Sequence, residues 1–144
     1  MNVEVSREFV DTNVLVYAFD TSASEKNMVA DHLIRTLWET RQGRLSVQVL
    51  QEFYVTVTSK LARSLSPHVA AELVADFSAW PIHAPTAEDV GAAIRIHQAY
   101  QLSFWDAMVL QSALQLDCSI VWSEDLSHLQ RVQGITIKNP FARD

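Results

Sequence analysis

Apolar and polar residues along this chain are spaced so as to predict helices that alternate with short strands. From Ser22 to about Gln42 the apolar residues recur at three- and four-residue steps, which is the spacing of one face of an amphipathic helix. Ser22 and Glu25 have the spacing of a capping box, so the helix is predicted to begin there. Gly43 ends this helix, and residues 45–47 are predicted as the strand that follows.

The rest of the chain repeats this alternation. Further strands are predicted at residues 8–10, 81–84, 119–122 and 135–137, and further helices at residues 13–19, 47–61, 67–79, 86–100 and 104–116. Strands that alternate with helices are typical of an α/β fold with a central, mainly parallel sheet flanked by helices. At 144 residues the chain is predicted to form one domain, residues 1–144.

Two of these helices have a core face that the spacing predicts. In the helix of residues 47–61 the apolar stripe is Val47, Leu50, Tyr54, Val57 and Leu61, with Phe53 beside it. In the helix of residues 104–116 the inward side chains are predicted to include Trp105, Met108 and Val109.

Composition and charge exclude several classes of protein. No segment is apolar over the length that a bilayer requires, and the N-terminus lacks the basic and apolar regions of an export signal, so a soluble cytoplasmic protein is expected. The single cysteine, Cys118, is predicted to be a small buried hydrophobe. A net charge of −6 argues against a surface that attracts nucleic acid generally, so a polyanion would need divalent metal and local basic residues.

Four acidic residues lie at the ends of apolar segments: Asp11, Glu52, Asp106 and Asp125. Burying a carboxylate without a compensating charge is costly, and a bound cation would remove that cost. Asp11 and Asp125 each follow a predicted strand, so a parallel sheet would bring both to its carboxyl edge. Asp106 falls in the first turn of its helix, where the helix dipole favours an anion.

Such a group of carboxylates predicts a particular metal and a particular reaction. Neighbouring carboxylates repel one another unless a cation lies between them. Oxygen donors favour Mg²⁺ or Mn²⁺ over zinc, and no histidine or cysteine pair has zinc-site spacing. A bound Mg²⁺ orients a water, lowers its pKa and neutralises phosphate charge, so hydrolysis of a phosphodiester is the natural chemistry.

The segments around the four acids also carry a resemblance to a known family. They are FVDTNVLVY around Asp11, SVQVLQEFYV around Glu52, SFWDA around Asp106 and WSEDL around Asp125. In order and spacing they resemble PIN-domain ribonucleases, in particular the VapC-type toxins of toxin–antitoxin pairs. The resemblance implies a PIN-like fold and an Mg²⁺- or Mn²⁺-dependent endoribonuclease that acts on structured RNA such as transfer RNA. It also implies a cognate antitoxin that threads into the active-site groove, and a homodimer.

The resemblance assigns site residues by position. Asp11, Glu52 and Asp106 match the three acids common to the family, and Asp125 matches the fourth. Asn13 and Ser123 match polar positions that orient the acids and water. The family places its fourth acid two residues after a serine or threonine, which selects Asp125, but the adjacent Glu124 is an alternative.

Each acid also has a structural explanation when it is considered alone. Ser103 with Asp106 is close to a capping box, Asp11 suits an Asx turn, and Asp125 suits a solvated turn. Glu88 and Asp89 are assigned to capping of the helix that follows Thr86.

Two other functions remain as alternatives. A non-catalytic interaction module on the same fold would explain the acidic charge. A phosphotransfer or receiver domain ranks below both, because it needs paired acids after the first strand and this chain has Asp11, Thr12 and Asn13 there.

Overall fold

Six short strands pair into one sheet in the computed structural model, which describes residues 6–143. The strands are β1 (Glu8–Val10), β2 (Gly43–Ser46), β3 (Ile82–His83), β4 (Ile120–Trp122), β5 (Arg131–Val132) and β6 (Ile135–Lys138). Their order across the sheet is β3-β2-β1-β4-β6-β5, and every neighbouring pair is parallel except β5 with β6. The predicted α/β architecture with a mainly parallel sheet is therefore confirmed.

Helices connect the strands and flank the sheet. They are α1 (Thr12–Tyr17), α2 (Glu25–Thr40), α3 (Val47–Ser59), α4 (Pro67–Phe77), α5 (Ala87–Tyr100) and α6 (Phe104–Gln115), with a short 3₁₀ turn at Thr21–Ala23. Among residues 6–143 no helix is both long and apolar enough to cross a bilayer. The N-terminal segment, in which no export signal was expected, lies mostly outside the described residues.

Serine and threonine caps begin several helices where the sequence predicted. The Ser66 hydroxyl accepts a hydrogen bond from Val69 N at the start of α4. Thr86 and Asp89 form a full capping box at the start of α5. Each cap satisfies amide groups that have no partner within the helix, so these boundaries are set by local sequence.

Several element boundaries differ from the prediction, and one strand was not predicted. Helix α2 begins at Glu25 rather than Ser22, because Asp20 accepts a hydrogen bond from Ser22 N and holds it in the 3₁₀ turn. Strand β2 ends at Ser46, whose hydroxyl caps α3, so Val47 is helical. The last predicted strand proves to be half of an antiparallel hairpin with β5, a two-residue strand too short for a periodic signal.

The predicted core faces of α3 and α6 are partly wrong. Helix α3 buries Val49, Phe53 and Val57, while Tyr54 from the predicted stripe is 38% exposed. Helix α6 is buried continuously from Ala107 to Ala113, so it has no single apolar stripe. Trp105 lies in its first turn, before that buried stretch, and is 63% exposed.

Gly43 is required at the start of β2 by close packing. A Cβ atom at this position would lie 2.4 Å from Cζ3 of Trp80, whose ring is buried. We expect Gly43→Ala to lower the free energy of unfolding by about 2–3 kcal/mol, because a buried indole cannot move aside without strain. Urea unfolding followed by tryptophan fluorescence measures this loss.

Gly91 provides the matched control. It lies in α5, where an added Cβ would come no closer than 3.8 Å to Arg95 Nη1. Gly91→Ala should therefore leave stability unchanged or raise it by up to about 1 kcal/mol through helix propensity. Equal stability of the two variants would contradict the packing argument.

Candidate active site

The pairing of β1 with β4 brings Asp11 and the loop of residues 123–125 together at the carboxyl edge of the sheet. Val10 pairs with Trp122, and the Asp11 amide donates to Trp122 O at 2.9 Å. The hydroxyl of Ser123, which is fully buried, donates to Asp11 Oδ2 at 2.8 Å and accepts from Asp125 N at 3.2 Å. One serine therefore links the Asp11 carboxylate to the backbone of Asp125.

Thr12 links Asp11 to Glu52 in a similar way. Its amide donates to Asp11 Oδ1 at 2.8 Å, and its hydroxyl donates to Glu52 Oε2 at 2.9 Å. Gln48 Nε2 donates to the other carboxylate oxygen, Glu52 Oε1, at 2.9 Å. The amide oxygen of Gln48 is buried and has no hydrogen-bond partner among the described residues. Sequence reasoning missed both supporting residues; the signals were adjacency to Asp11 and the four-residue helical spacing before Glu52.

Asp106 lies in the first turn of α6, where its backbone takes part in the predicted helix cap. Its amide donates to the Ser103 hydroxyl at 3.1 Å, so Ser103 caps the helix. The pKa of the half-buried carboxyl is raised, first by burial and then by the negative charges of Asp125 and Glu52. A hydrogen bond with Ser103 acts to lower the pKa of the Asp106 carboxyl, but burial and the charges of the other acids outweigh it.

Asp11 is the most strongly perturbed acid of the group. Burial raises its pKa from 3.8 to about 6, although hydrogen bonds from Ser123 and Thr12 act in the opposite direction. The charges of Asp106 and Asp125 raise it further. Among the described residues no basic side chain forms an ion pair with it, so the ionised carboxylate is buried among like charges.

A second buried acid, Asp89, provides a contrast. Both Asp11 and Asp89 are only 6% exposed. Asp89 accepts hydrogen bonds from Gln111 Nε2 at 3.0 Å and Thr86 N at 2.8 Å, and it lies 3.1 Å from His83 Nε2. The Gln111 bond is the largest cause of a pKa below the ordinary value. The negative charge of Asp89 is thus stabilised by its hydrogen bonds and by His83, and its predicted role in capping α5 is confirmed. The hydrogen bonds to Asp11 do not offset the cost of burying its charge.

The structure separates the two candidates for the fourth acid. The Glu124 carboxylate accepts a hydrogen bond from the Tyr17 hydroxyl at 3.1 Å and pairs with the ammonium of Lys26. The charge of Asp125 raises the pKa of both Asp11 and Asp106. The geometry therefore favours Asp125 as the acid that belongs to the group.

The side chain of Asn13 contacts the backbone of the same loop. Its amide oxygen accepts a hydrogen bond from Glu124 N at 3.1 Å, whereas its Nδ2 is 3.5 Å from Asp11 Oδ2. The stronger contact holds the 123–125 loop against α1.

The donor set suits a divalent cation, although the acids do not form a closed cage. Within residues 6–143 no three histidine, cysteine or acidic side chains are grouped closely enough to enclose a metal. The available donors are carboxylate oxygens together with the unpartnered Gln48 amide oxygen. Mg²⁺ prefers oxygen donors, and it keeps several waters while binding one or two carboxylates. These residues therefore fit such an ion in charge and donor type.

Comparisons with known proteins are consistent with this geometry. A family model described as PIN domain matches residues 9–135. No curated protein matches the chain.

Several solved structures share the fold. A toxin–antitoxin complex from Klebsiella pneumoniae is 18% identical with a TM-score of 0.69, and the match covers 94% of this chain and 98% of that one. The DNA-bound VapBC of Salmonella typhimurium is 17% identical with a TM-score of 0.63 and the same coverage. VapC20 of Mycobacterium tuberculosis, a toxin that cleaves the sarcin-ricin loop, is 18% identical with a TM-score of 0.59, covering 82% of this chain and 89% of that one.

Proposed function

This chain belongs to the PIN domain family, and on that premise we propose that it is a divalent-metal-dependent endoribonuclease serving as the toxin of a toxin–antitoxin pair. Members of the family are nucleases and generally use divalent metal ions. The observation that carries the proposal is the buried carboxylate of Asp11, which lies among like charges and has no basic partner within residues 6–143. A non-catalytic module has no need of such an uncompensated charge.

The four acids would hold the cation, which is Mg²⁺ or Mn²⁺ in this proposal. When bound, the ion would supply an activated water and neutralise charge on the phosphate. Within the chain, Thr12 and Gln48 fix both oxygens of the Glu52 carboxylate. Ser123 fixes one oxygen of Asp11, and Thr12 fixes the other. These hydrogen bonds orient the acids before substrate arrives, which lowers the cost of reorganisation during the reaction.

The neighbouring structures support one of the proposed partners. Two of these neighbours are complexes of a toxin with its antitoxin, so we propose a cognate antitoxin that binds the edge of the sheet where the four acids lie. We also propose a homodimer, as the family resemblance implies. We propose structured RNA, such as transfer RNA, as the substrate and the cytoplasm as the place where it is cleaved.

The test is cleavage of RNA by the purified chain. A mixture of transfer and ribosomal RNA incubated in Mg²⁺ or Mn²⁺ should yield discrete internal fragments, because a fixed site selects particular phosphodiester bonds. Gel electrophoresis and end mapping identify the bonds that break. RNA that stays intact in both ions would contradict the proposed activity.

A further inference from the structure

We propose that Glu124 is a positioning residue, which holds the 123–125 loop and therefore Asp125 in place by binding Tyr17 and Lys26. The inference rests on the proposed function, because it gives a role in that site to an acid that the group of four does not include. It predicts that the side chain of Glu124, which is not one of the four acids, sets the position of Asp125, which is.

The Glu124 side chain is held from two helices. The Tyr17 hydroxyl, at the end of α1, donates to Oε1 at 3.1 Å, and the Lys26 ammonium, in the first turn of α2, pairs with Oε2. The Glu124 side chain is 24% exposed and the Lys26 side chain is 45% exposed. An ion pair that is partly shielded from water is screened less than one on the open surface.

Two aromatic rings, those of Tyr17 and Phe141, also lie near the Lys26 ammonium. It lies 5.1 Å from the centre of the Tyr17 ring and 5.5 Å from the centre of the Phe141 ring. The two rings pack edge to face with centres 5.1 Å apart. Cation–π attraction adds to the ion pair, so the cation that binds Glu124 is itself fixed in place.

The Asp125 carboxylate depends on this anchoring because little else holds it. Within the described residues nothing donates a hydrogen bond to that carboxylate, and the residue is exposed. Its backbone is attached through Asp125 N to Ser123 Oγ, and the preceding amide, Glu124 N, donates to Asn13. Releasing the Glu124 side chain would leave Ser123 bonded to Asp11, while Glu124 and Asp125 would be attached through the hydrogen bonds of their backbone amides.

The experiment compares four variants with wild type. Glu124→Gln keeps an acceptor for Tyr17 but removes the charge that binds Lys26, and Lys26→Met removes the cation. Lys26→Arg keeps the cation and serves as the conservative rescue. Asp31→Asn breaks a surface ion pair with Arg35 within α2, at 2.9 Å, and is the matched control.

Two measurements are expected to agree. Glu124→Gln and Lys26→Met should lower kcat for RNA cleavage by about tenfold and leave KM within about twofold, as for residues that orient metal ligands. In the metal-free protein both should speed hydrogen exchange at the Glu124 and Asp125 amides by about tenfold, because the loop opens locally. Lys26→Arg and Asp31→Asn should match wild type in both.

The outcomes separate this inference from the proposed function. Unchanged exchange at both amides in Glu124→Gln would overturn the positioning role, whether or not the chain cleaves RNA. A rise in KM with unchanged kcat in Lys26→Met would identify Lys26 as a contact to RNA and would likewise overturn it. Wild-type protein without RNA cleavage would reject the proposed function, while the exchange rates would still decide whether Glu124 holds the loop.

Discussion

Replacing Asp11 with asparagine is expected to reduce RNA cleavage by on the order of 1,000-fold or more while the chain stays folded. Asp11 is hydrogen-bonded to the residues that connect it with Glu52 and Asp125, so it lies at the centre of the acidic group. The asparagine has almost the same shape but carries no charge with which to hold a cation. Cleavage assays at saturating Mn²⁺ measure the loss.

The same substitution should also change how stability depends on pH. Folding raises the pKa of Asp11 from 3.8 to about 6, so in this window the folded chain binds a proton more readily than the unfolded chain. The contribution of Asp11 to the free energy of unfolding therefore falls as the pH rises through this window. At pH 7 the ionised carboxylate destabilises the folded chain by the full amount. In chelator at pH 7.5, Asp11→Asn is expected to be more stable than wild type by on the order of 2 kcal/mol. At pH 4 the difference should nearly vanish.

Asp89→Asn is the control with the opposite sign. The pKa of Asp89 is lowered by its hydrogen bonds, so its stabilising contribution is present at neutral pH and is lost as the pH falls. Asp89→Asn should destabilise the protein at pH 7.5 yet leave the acidic group and RNA cleavage intact. Urea unfolding at pH 4 and 7.5 measures both variants. A destabilised Asp11→Asn protein at pH 7.5 would show that its carboxylate is compensated in the fold.

Removing divalent cations should stop RNA cleavage completely, and adding Mg²⁺ or Mn²⁺ should restore it. Like charges raise the pKa of both Asp11 and Asp106, and in the proposed site a bound cation offsets that repulsion. Binding to the folded state alone also raises stability. Mn²⁺ should therefore increase the Tm of wild type without RNA present, and it should have a much smaller effect on Asp11→Asn.

This prediction has two independent readouts. Cleavage is measured with dialysed protein in excess chelator and after the ion is returned. Tm is measured by scanning calorimetry over a series of Mn²⁺ concentrations. Full cleavage in excess chelator, or a Tm shift that is equal in wild type and Asp11→Asn, would reject a metal site at these acids.

The sequence predicted the sheet and the strand-end position of the acids because both follow from local periodicity. Asp11 and Ser123 meet because the strands before them are parallel neighbours. Side-chain orientation was harder to predict. The exposure of Trp105 depends on where α6 enters its buried stretch, which is set by packing against other elements rather than by its own spacing.

The contacts between supporting residues far apart in the chain were also beyond prediction from the sequence. The bond between Thr12 and Glu52 joins residues 40 positions apart, and that between Tyr17 and Glu124 joins residues 107 positions apart. Neither has a periodic signature, because each depends on how separate helices are arranged in space. The sequence left Glu124 and Asp125 as alternatives for this reason, and only the tertiary contacts distinguish them.

The bond from Ser123 to Asp11 joins positions 112 residues apart, which determines when the candidate site can exist during synthesis of the chain. A nascent chain on the ribosome contains Asp11 and Glu52 well before β4 and the Ser123 loop are synthesised. Until then β1 lacks its neighbour β4, and Asp11 lacks the donor that orients it. Chains truncated before Ser123 therefore lack this donor to Asp11, and under the proposed function they should not cleave RNA.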